Sequence, residues 1–296
     1  MVYGKTTVFV GNTTDDAVNV SRAAITDTTV LETMGLGLES RLRRANYPEI
    51  VRVGSVYAQS NSITTTERSI GLPAGAPGNF FFHPTVASAF QISSSSAADT
   101  SAGTGARTCS ITGLTNIAGV WTEITETLTM NGLTAVSTTS TDFWRVNKIW
   151  VDTSGSGNKN AGDIYICAVG QSITAGVPDA NVIAAIILGY SNSTSGCYSV
   201  ASGRGFQYTK GNFYIDQSKN MVIHERFRQD FSGGDDLTEY EVGEYPVGST
   251  SYDYTGAAPY TEKTDILLSC YTTTGSASRL TYYVEYVLTD ASATNP

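Results

Sequence analysis

Residues 103–162 read GTGARTCSITGLTNIAGVWTEITETLTMNGLTAVSTTSTDFWRVNKIWVDTSGSGNKNAG, and this stretch decides the fold class. Ile111, then Ile124, Leu128 and Met130, then Phe143, Arg145, Asn147 and Ile149 fall at even spacings. Side chains at even spacings along an extended chain share one face, so these runs alternate between a core side and a solvent side. Asn131-Gly132 suits the positive φ angles of a tight hairpin, and Gly155-Ser156-Gly157-Asn158 with Asn160 and Gly162 supplies a longer turn. Val136 to Thr141 is rich in β-branched residues, which lose less by being extended than by being helical. The stretch predicts a short-looped antiparallel meander with no reaction centre in it.

Outward from that stretch, strands recur on both sides. Ile50 to Val53 with Val56 begin a β body, and a turn from Leu72 to Asn79 precedes Phe80-Phe81-Phe82-His83-Pro84. Three adjacent phenylalanines cannot share one strand face, so at least one meets another element or the run is irregular. Ser93 to Ser96 with the alanines that follow has no long side chains, which suits close packing or exposure. DIYICA, from Asp163 to Ala168, reads as a strand, and VIAAIILGY, from Val182 to Tyr190, as one buried on both faces. Beyond it the pattern restarts at Cys197–Val200, Gly211–Ile215, Met221–Phe227, Leu237–Tyr245, Thr264–Tyr271 and Arg279–Leu288.

The chain has 296 residues, roughly two average domains, with only 15 % charged residues, 29 glycines and 17 tyrosines. The expectation is all-β: two β-sandwich or jelly-roll-like domains over 49–180 and 181–296, preceded by an N-terminal arm or strap over 1–48. The arm has too little apolar content to fold alone. It either docks on a neighbouring subunit or adds strands to its own body. Asp27 and Thr28 suit a helix cap, and Leu36 to Arg44 a short helix.

A net charge of −9 and a pI near 4.7 disfavour direct binding to nucleic acid or anionic lipid. The dense basic cluster Arg41-Leu42-Arg43-Arg44 reads as a solvated helix end. Cys109, Cys167, Cys197 and Cys270 show no C-x-x-C spacing and predict four free thiols, in keeping with a reducing compartment. Met1 to Val10 lacks a charged leader followed by an apolar block, so no secretory signal is expected. The longest apolar run, Val182 to Leu188, is far short of the ~20 residues that span a bilayer, so membrane insertion is not expected.

Catalytic readings find little footing. The two histidines, His83 beside Pro84 and His224 between Ile223 and Glu225, read as structural, and no G-x-S-x-G elbow occurs. Glu123 with Glu126, and Glu239 with Glu241 and Glu244, are the available carboxylate pairs and read as solvated charge. Asp152 to Asp163 imitates a calcium loop but lacks the closing Glu, and a plain turn is the expectation. No catalytic set, cofactor site or metal site is expected, and the chain is read as no enzyme. Tyr245, Tyr252, Tyr254 and Tyr260, in YPVGSTSYDYTGAAPY, offer aromatic platforms for the sugar rings of a host glycan.

Taken as a set, GTGARTCSITGL, EITETLTMNG, TTSTDFWRVNKIWV and the GSGNKNAG turn resemble structural proteins of tailed bacteriophages of the marine and cyanobacterial type. Ser218-Lys219-Asn220 into Val222 to Arg226, and PYTEKTDI from Pro259, are similar to the second half of the same proteins. The resemblance spans about residues 90 to 290 and leaves out the first 50. It implies a non-enzymatic virion structural protein and leaves its place on the particle open. The leading expectation is an outer component such as a capsid decoration or head-fibre protein, assembled in the host cytoplasm, homotrimeric, with other virion proteins as partners. A tail or fibre module binding a glycan, and a jelly-roll major capsid protein of a tailless virus, are the alternatives.

Overall fold

The protein is described here from a computed structural model over residues 50–192, 197–216, 220–229, 231, 238–253, 260–275 and 278–290. The arm expected over residues 1–48, with its Arg41 to Arg44 cluster, lies outside them. Among the described residues there are eighteen strands and no helix. They are β1 (Ile50–Ile63), β2 (Arg68–Ser69), β3 (Phe90–Ser94), β4 (Ala106–Ile117), β5 (Val120–Thr129) and β6 (Val136–Ser137). Next come β7 (Phe143–Ser154), β8 (Ile164–Ala168), β9 (Ile173–Thr174), β10 (Val177–Pro178), β11 (Ala184–Ile186) and β12 (Cys197–Ser199). The chain continues through β13 (Arg204–Ile215), β14 (Met221–Arg228), β15 (Thr238–Tyr245), β16 (Gly248–Asp253), β17 (Asp265–Thr272) and β18 (Ser278–Asp290).

Two sandwiches result. In the first, sheet β5-β4-β7 faces sheet β11-β8-β3-β6, and Ile92, Ile111, Ile149, Ile164 and Ile166 meet between them. In the second, sheet β1-β18-β13-β16 faces β12-β17-β14-β15, with β2 paired on β17, around a core that includes Phe206, Phe213, Tyr282 and Leu268. Burying one such side chain contributes about 1.5–3 kcal/mol, so each core contributes to holding its own pair of sheets.

The strand pairing redraws the expected division at residue 180. β1 lies antiparallel on β18, from Ile50 opposite Thr289 to Ile63 opposite Ser278, and β2 lies on β17. β11, expected to open the second domain, pairs with β8. The first sandwich, β3 to β11, is therefore inserted into the second, whose strands come from both sides of it. Alternation tells which face of a strand is buried; it does not tell which distant strand fills its edge.

The central stretch forms one sheet, yet not a simple meander, because β4 sits in the middle with β5 and β7 on either side. The tight hairpin between β4 and β5 is made by Ala118 and Gly119, both at positive φ (52° and 84°). Gly132 also has positive φ, 59°, but the chain after it leaves the sheet: β6 pairs with β3 of the opposite layer. The β-branched run from Val136 thus bridges the two sheets of the sandwich.

Other expectations meet their packing reasons here. Of the three phenylalanines, Phe81 is buried with Tyr165 and Val182, while Phe80 and Phe82 stay largely exposed. The run around β11 faces two cores, with Ile183 and Ile186 on one side and Val182 and Ala185 on the other. β3 is buried along its whole length, and small residues allow it. A Cβ on Gly176 would lie 1.8 Å from the Ser94 carbonyl oxygen, closer than any side chain tolerates. All four cysteines are free and buried.

Candidate functional site

The two sandwiches meet at a seam made by β7 on one side and β12, β14 and β17 on the other. Arg145 of β7 is 1 % exposed and Asp265 of β17 is fully buried. Arg145 donates from Nε to Asp265 Oδ1 and from Nη2 to Oδ2, both at 2.8 Å. Its Nη1 donates to the carbonyls of Pro84 (2.6 Å) and Trp144 (2.9 Å), and its guanidinium lies 4.9 Å from the centroid of the Phe231 ring. Arg228 Nη2 donates to Asp265 Oδ2 at 2.8 Å, and Ser199 Oγ donates to Oδ1 at 2.6 Å. Each carboxylate oxygen so accepts two hydrogen bonds, which fills the capacity of the group.

Burial alone would raise the Asp265 pKa, but His83 and Arg145 nearby, with the hydrogen bonds from Arg145 and Ser199, hold it well below the usual carboxylate range. His83 moves the other way for a base: loss of hydration, aided by the positive charge of Arg145 and Arg228 and opposed by Asp265, lowers it to about 4. The imidazole is therefore neutral at pH 7 beside two guanidiniums. Beside this cluster Asn147 zips the sandwiches together like a strand residue. Its Nδ2 donates to the Ser199 carbonyl at 2.9 Å and its Oδ1 accepts from the Ser199 amide at 2.8 Å. Trp121 packs edge-on against Trp144 and Phe231, both with centroids 4.7 Å away, and closes the other flank.

Next to the Arg145–Asp265–Arg228 cluster, the bolt between the sandwiches, the seam opens. A cleft of about 450 Å³ runs between the edge of β1 and the outer face of sheet β5-β4-β7, with Arg52, Tyr57, Glu123, Lys148, Trp150 and Tyr198 in its lining. Arg52 donates to both Glu123 oxygens (2.8 and 3.3 Å) and to the Tyr198 hydroxyl (3.1 Å). Lys148 places its ammonium 5.0 Å from the centroid of Trp150. A second cleft of similar volume continues past the Arg52–Glu123 bridge towards Val51, Val120 and Leu288.

The residues weighed for chemistry take separate places. His224 Nδ1 lies 3.0 Å from Glu67 Oε1, and Ser269 Oγ donates to the same oxygen, so hydroxyl and imidazole share an acceptor instead of pairing with each other. Glu67 Oε2 also accepts from Arg226 Nη2 at 2.8 Å. Glu123 is engaged by Arg52, while Glu126 accepts the backbone amides of Thr139 and Ser140. Glu244 accepts from Asn220, and the side chains of Glu239 and Glu241 lie outside the described residues.

In the loop that imitates a calcium site, Asp163 Oδ1 accepts the Leu188 amide at 2.7 Å. Fully buried Asp99 pins the same loop by accepting the amides of Ala161 (2.8 Å) and Gly162 (2.9 Å). Among the described residues no group of three or more His, Cys, Asp or Glu is placed to hold a metal, and no helix is long and apolar enough to cross a membrane.

Of the four tyrosines read as a recognition surface, Tyr245 turns inward and stacks on Phe213 at 5.0 Å. Tyr260 packs among Phe206, Tyr208 and Phe227, and its hydroxyl donates to buried Glu225. Tyr252 contributes its backbone to the β13–β16 pairing; its side chain, and Tyr254 entirely, lie outside the described residues. The seam itself escaped the functional reading of the sequence. Its signal was present, because Arg145 and Asn147 occupy the same strand parity as buried Phe143 and Ile149.

No family model and no curated protein matches the chain. Among solved structures it is weakly similar to that of infectious bursal disease virus Gt strain, at 11 % identity, 82 % of this chain, 73 % of the other and a TM-score of 0.24. The Gx strain structure gives 9 % identity, 84 % and 73 % coverage and a TM-score of 0.25. A bacterial lipoprotein from Bacteroides thetaiotaomicron gives 8 % identity, 78 % and 98 % coverage and a TM-score of 0.19. At TM-scores of this size the likeness fixes neither the topology nor the role of this chain.

Proposed function

We propose that the chain is a non-enzymatic structural protein of a virus particle, acting through self-association and docking onto other virion proteins. Within that class the reading is an outer component of a tailed phage, a capsid decoration or head-fibre protein, assembled in the host cytoplasm as a homotrimer. The observation that carries it is the saturated seam. Junctions between two β units are places where ligand and catalytic sites commonly form; here Arg145, Arg228 and Asp265, buried at the junction, engage one another and fasten the sandwiches. The motif set that resembles phage structural proteins, over about residues 90 to 290, points the same way.

The test is copy number and position in the intact particle, by cryo-electron microscopy with quantitative mass spectrometry. Copies in step with the shell lattice are expected for a decoration protein, and a full set of lattice positions occupied by this chain alone would make it the major shell protein. Absence from purified particles would overturn the reading. Light scattering on the purified chain checks the trimer. A second reading, a host-recognition module, is favoured by the open cleft beside the bolt.

A further inference from the structure

We propose that the cleft between β1 and sheet β5-β4-β7 binds an acidic saccharide, a glycan carrying a carboxylate such as a uronic or sialic acid. The inference deepens the host-recognition reading, moving its site away from the tyrosine-rich loop, and it holds wherever the chain sits on a particle. It therefore fails separately from the structural reading.

Four features carry it. The volume, about 450 Å³, accommodates a short oligosaccharide. Aromatic side chains line both walls, Trp150 from β7 and Tyr57 from β1, and apolar sugar faces stack on such rings. Between them the lining is hydroxyl-rich. Thr112 and Thr125 are hydrogen-bonded to each other at 2.7 Å, an array that keeps spare lone pairs for ligand hydroxyls.

The charge pattern selects the ligand. The ionised side chains of the lining are Arg52, Glu123 and Lys148. Arg52 and Glu123 neutralise each other through two hydrogen bonds, and Tyr198 holds the guanidinium in place. Among the described residues Lys148 has no carboxylate within ion-pair distance; its ammonium is exposed and held over Trp150. A chain with net charge −9 thus presents one surplus positive charge beside an aromatic platform. One spare cation matches the single charge of a sugar carboxylate. A polyphosphate would bring several charges to one lysine and set them against Glu123.

The experiment titrates the full-length chain with trigalacturonate, 3′-sialyllactose, uncharged maltotriose and ATP, followed by calorimetry and tryptophan fluorescence. The expected result is saturable binding of an acidic saccharide, in the micromolar to millimolar range (about 10⁻⁵ to 10⁻³ M). Lys148→Gln should weaken it about tenfold or more, the usual loss for a charge-assisted hydrogen bond, and leave any maltotriose binding unchanged. Trp150→Phe should abolish the fluorescence change while keeping weaker binding by calorimetry. Both positions are outside the cores, so circular dichroism should be unaltered. Flat titrations with both acidic sugars, binding insensitive to Lys148→Gln, or tighter binding of ATP would each overturn the proposal.

Discussion

Between the sheets of the inserted sandwich lie Ile92, Ile111, Ile149, Ile164, Ile166 and Ile186, whereas Tyr198, Phe206, Phe213, Tyr245, Tyr282 and Tyr286 fill the outer one. In the inserted core one aromatic pair stacks, Phe90 on Phe143 at 5.3 Å. In the outer core the rings form a run: Tyr198 on Phe206 at 4.6 Å, Phe206 on Tyr286 at 4.9 Å, and Phe213 on Tyr282 at 4.6 Å. Isoleucine fills space without a polar atom, while tyrosine brings a hydroxyl that must reach a partner at the core's rim. Tyr198 does so by accepting from Arg52 on the cleft, and Tyr260 by donating to Glu225. The aromatic core therefore extends to the surface and shapes what is exposed there; the aliphatic core stays closed.

The strongest test of how the two halves depend on each other is Asp265→Ala. It leaves the guanidiniums of Arg145 and Arg228 buried without their shared carboxylate, and unpaired buried charge costs about 3–5 kcal/mol. Denaturant unfolding followed by far-ultraviolet circular dichroism should show the wild-type chain losing structure in one transition and the variant in two. Two transitions already in the wild type would mean that the seam does not couple the sandwiches.

The contrast between the cores is sharpened by one truncation in each, large in the aromatic core and small in the aliphatic one. Phe213→Ala should cost about 3–5 kcal/mol and Ile166→Val only about 0.5–1.5 kcal/mol. The first should also release neighbouring rings, read as a loss of near-ultraviolet dichroism out of proportion to its neighbours' burial. Equal loss of that signal in both variants would erase the distinction drawn here.

The last effect is read in acid. His83, at pKa 6.5 when unfolded, is depressed to about 4 in the fold, so its neutral form is the one the fold favours. Its contribution is complete above pH 6.5 and is lost as the pH falls through that window towards 4. Asp265, also depressed, adds its loss only below its ordinary value of 3.8. Stability measured against pH should decline below pH 6.5, and His83→Gln should flatten that first decline while leaving the one below pH 3.8.

Strand positions were legible because alternation is a local property. β8, β14, β17 and β18 appear within a residue or two of where the hydrophobic pattern puts them. What could not be read was pairing. Arg145 and Asp265 stand 120 residues apart, and nothing in either neighbourhood names the other. Tyr245 could not be placed for a related reason: a tyrosine reads equally as a surface platform and as a core residue with a polar tip, and the partner sheet turns Tyr245 inward. Polar residues at buried parity, Arg145 and Asn147, are the clue to the seam that the sequence does carry.

The insertion of one sandwich within the other also sets an order of events during synthesis. β1 is made early and its partner β18 late, so the first strand of the outer sandwich waits, edge exposed, while the whole inserted sandwich is translated. Contacts of such long sequence separation form slowly. The inserted sandwich, whose strands pair within a contiguous segment, can close on the ribosome first and hold the waiting strand in place. The final strand then works as a clasp: until β18 arrives between them, β1 is not joined to β13, and the outer sheet that carries the cleft's β1 wall is incomplete.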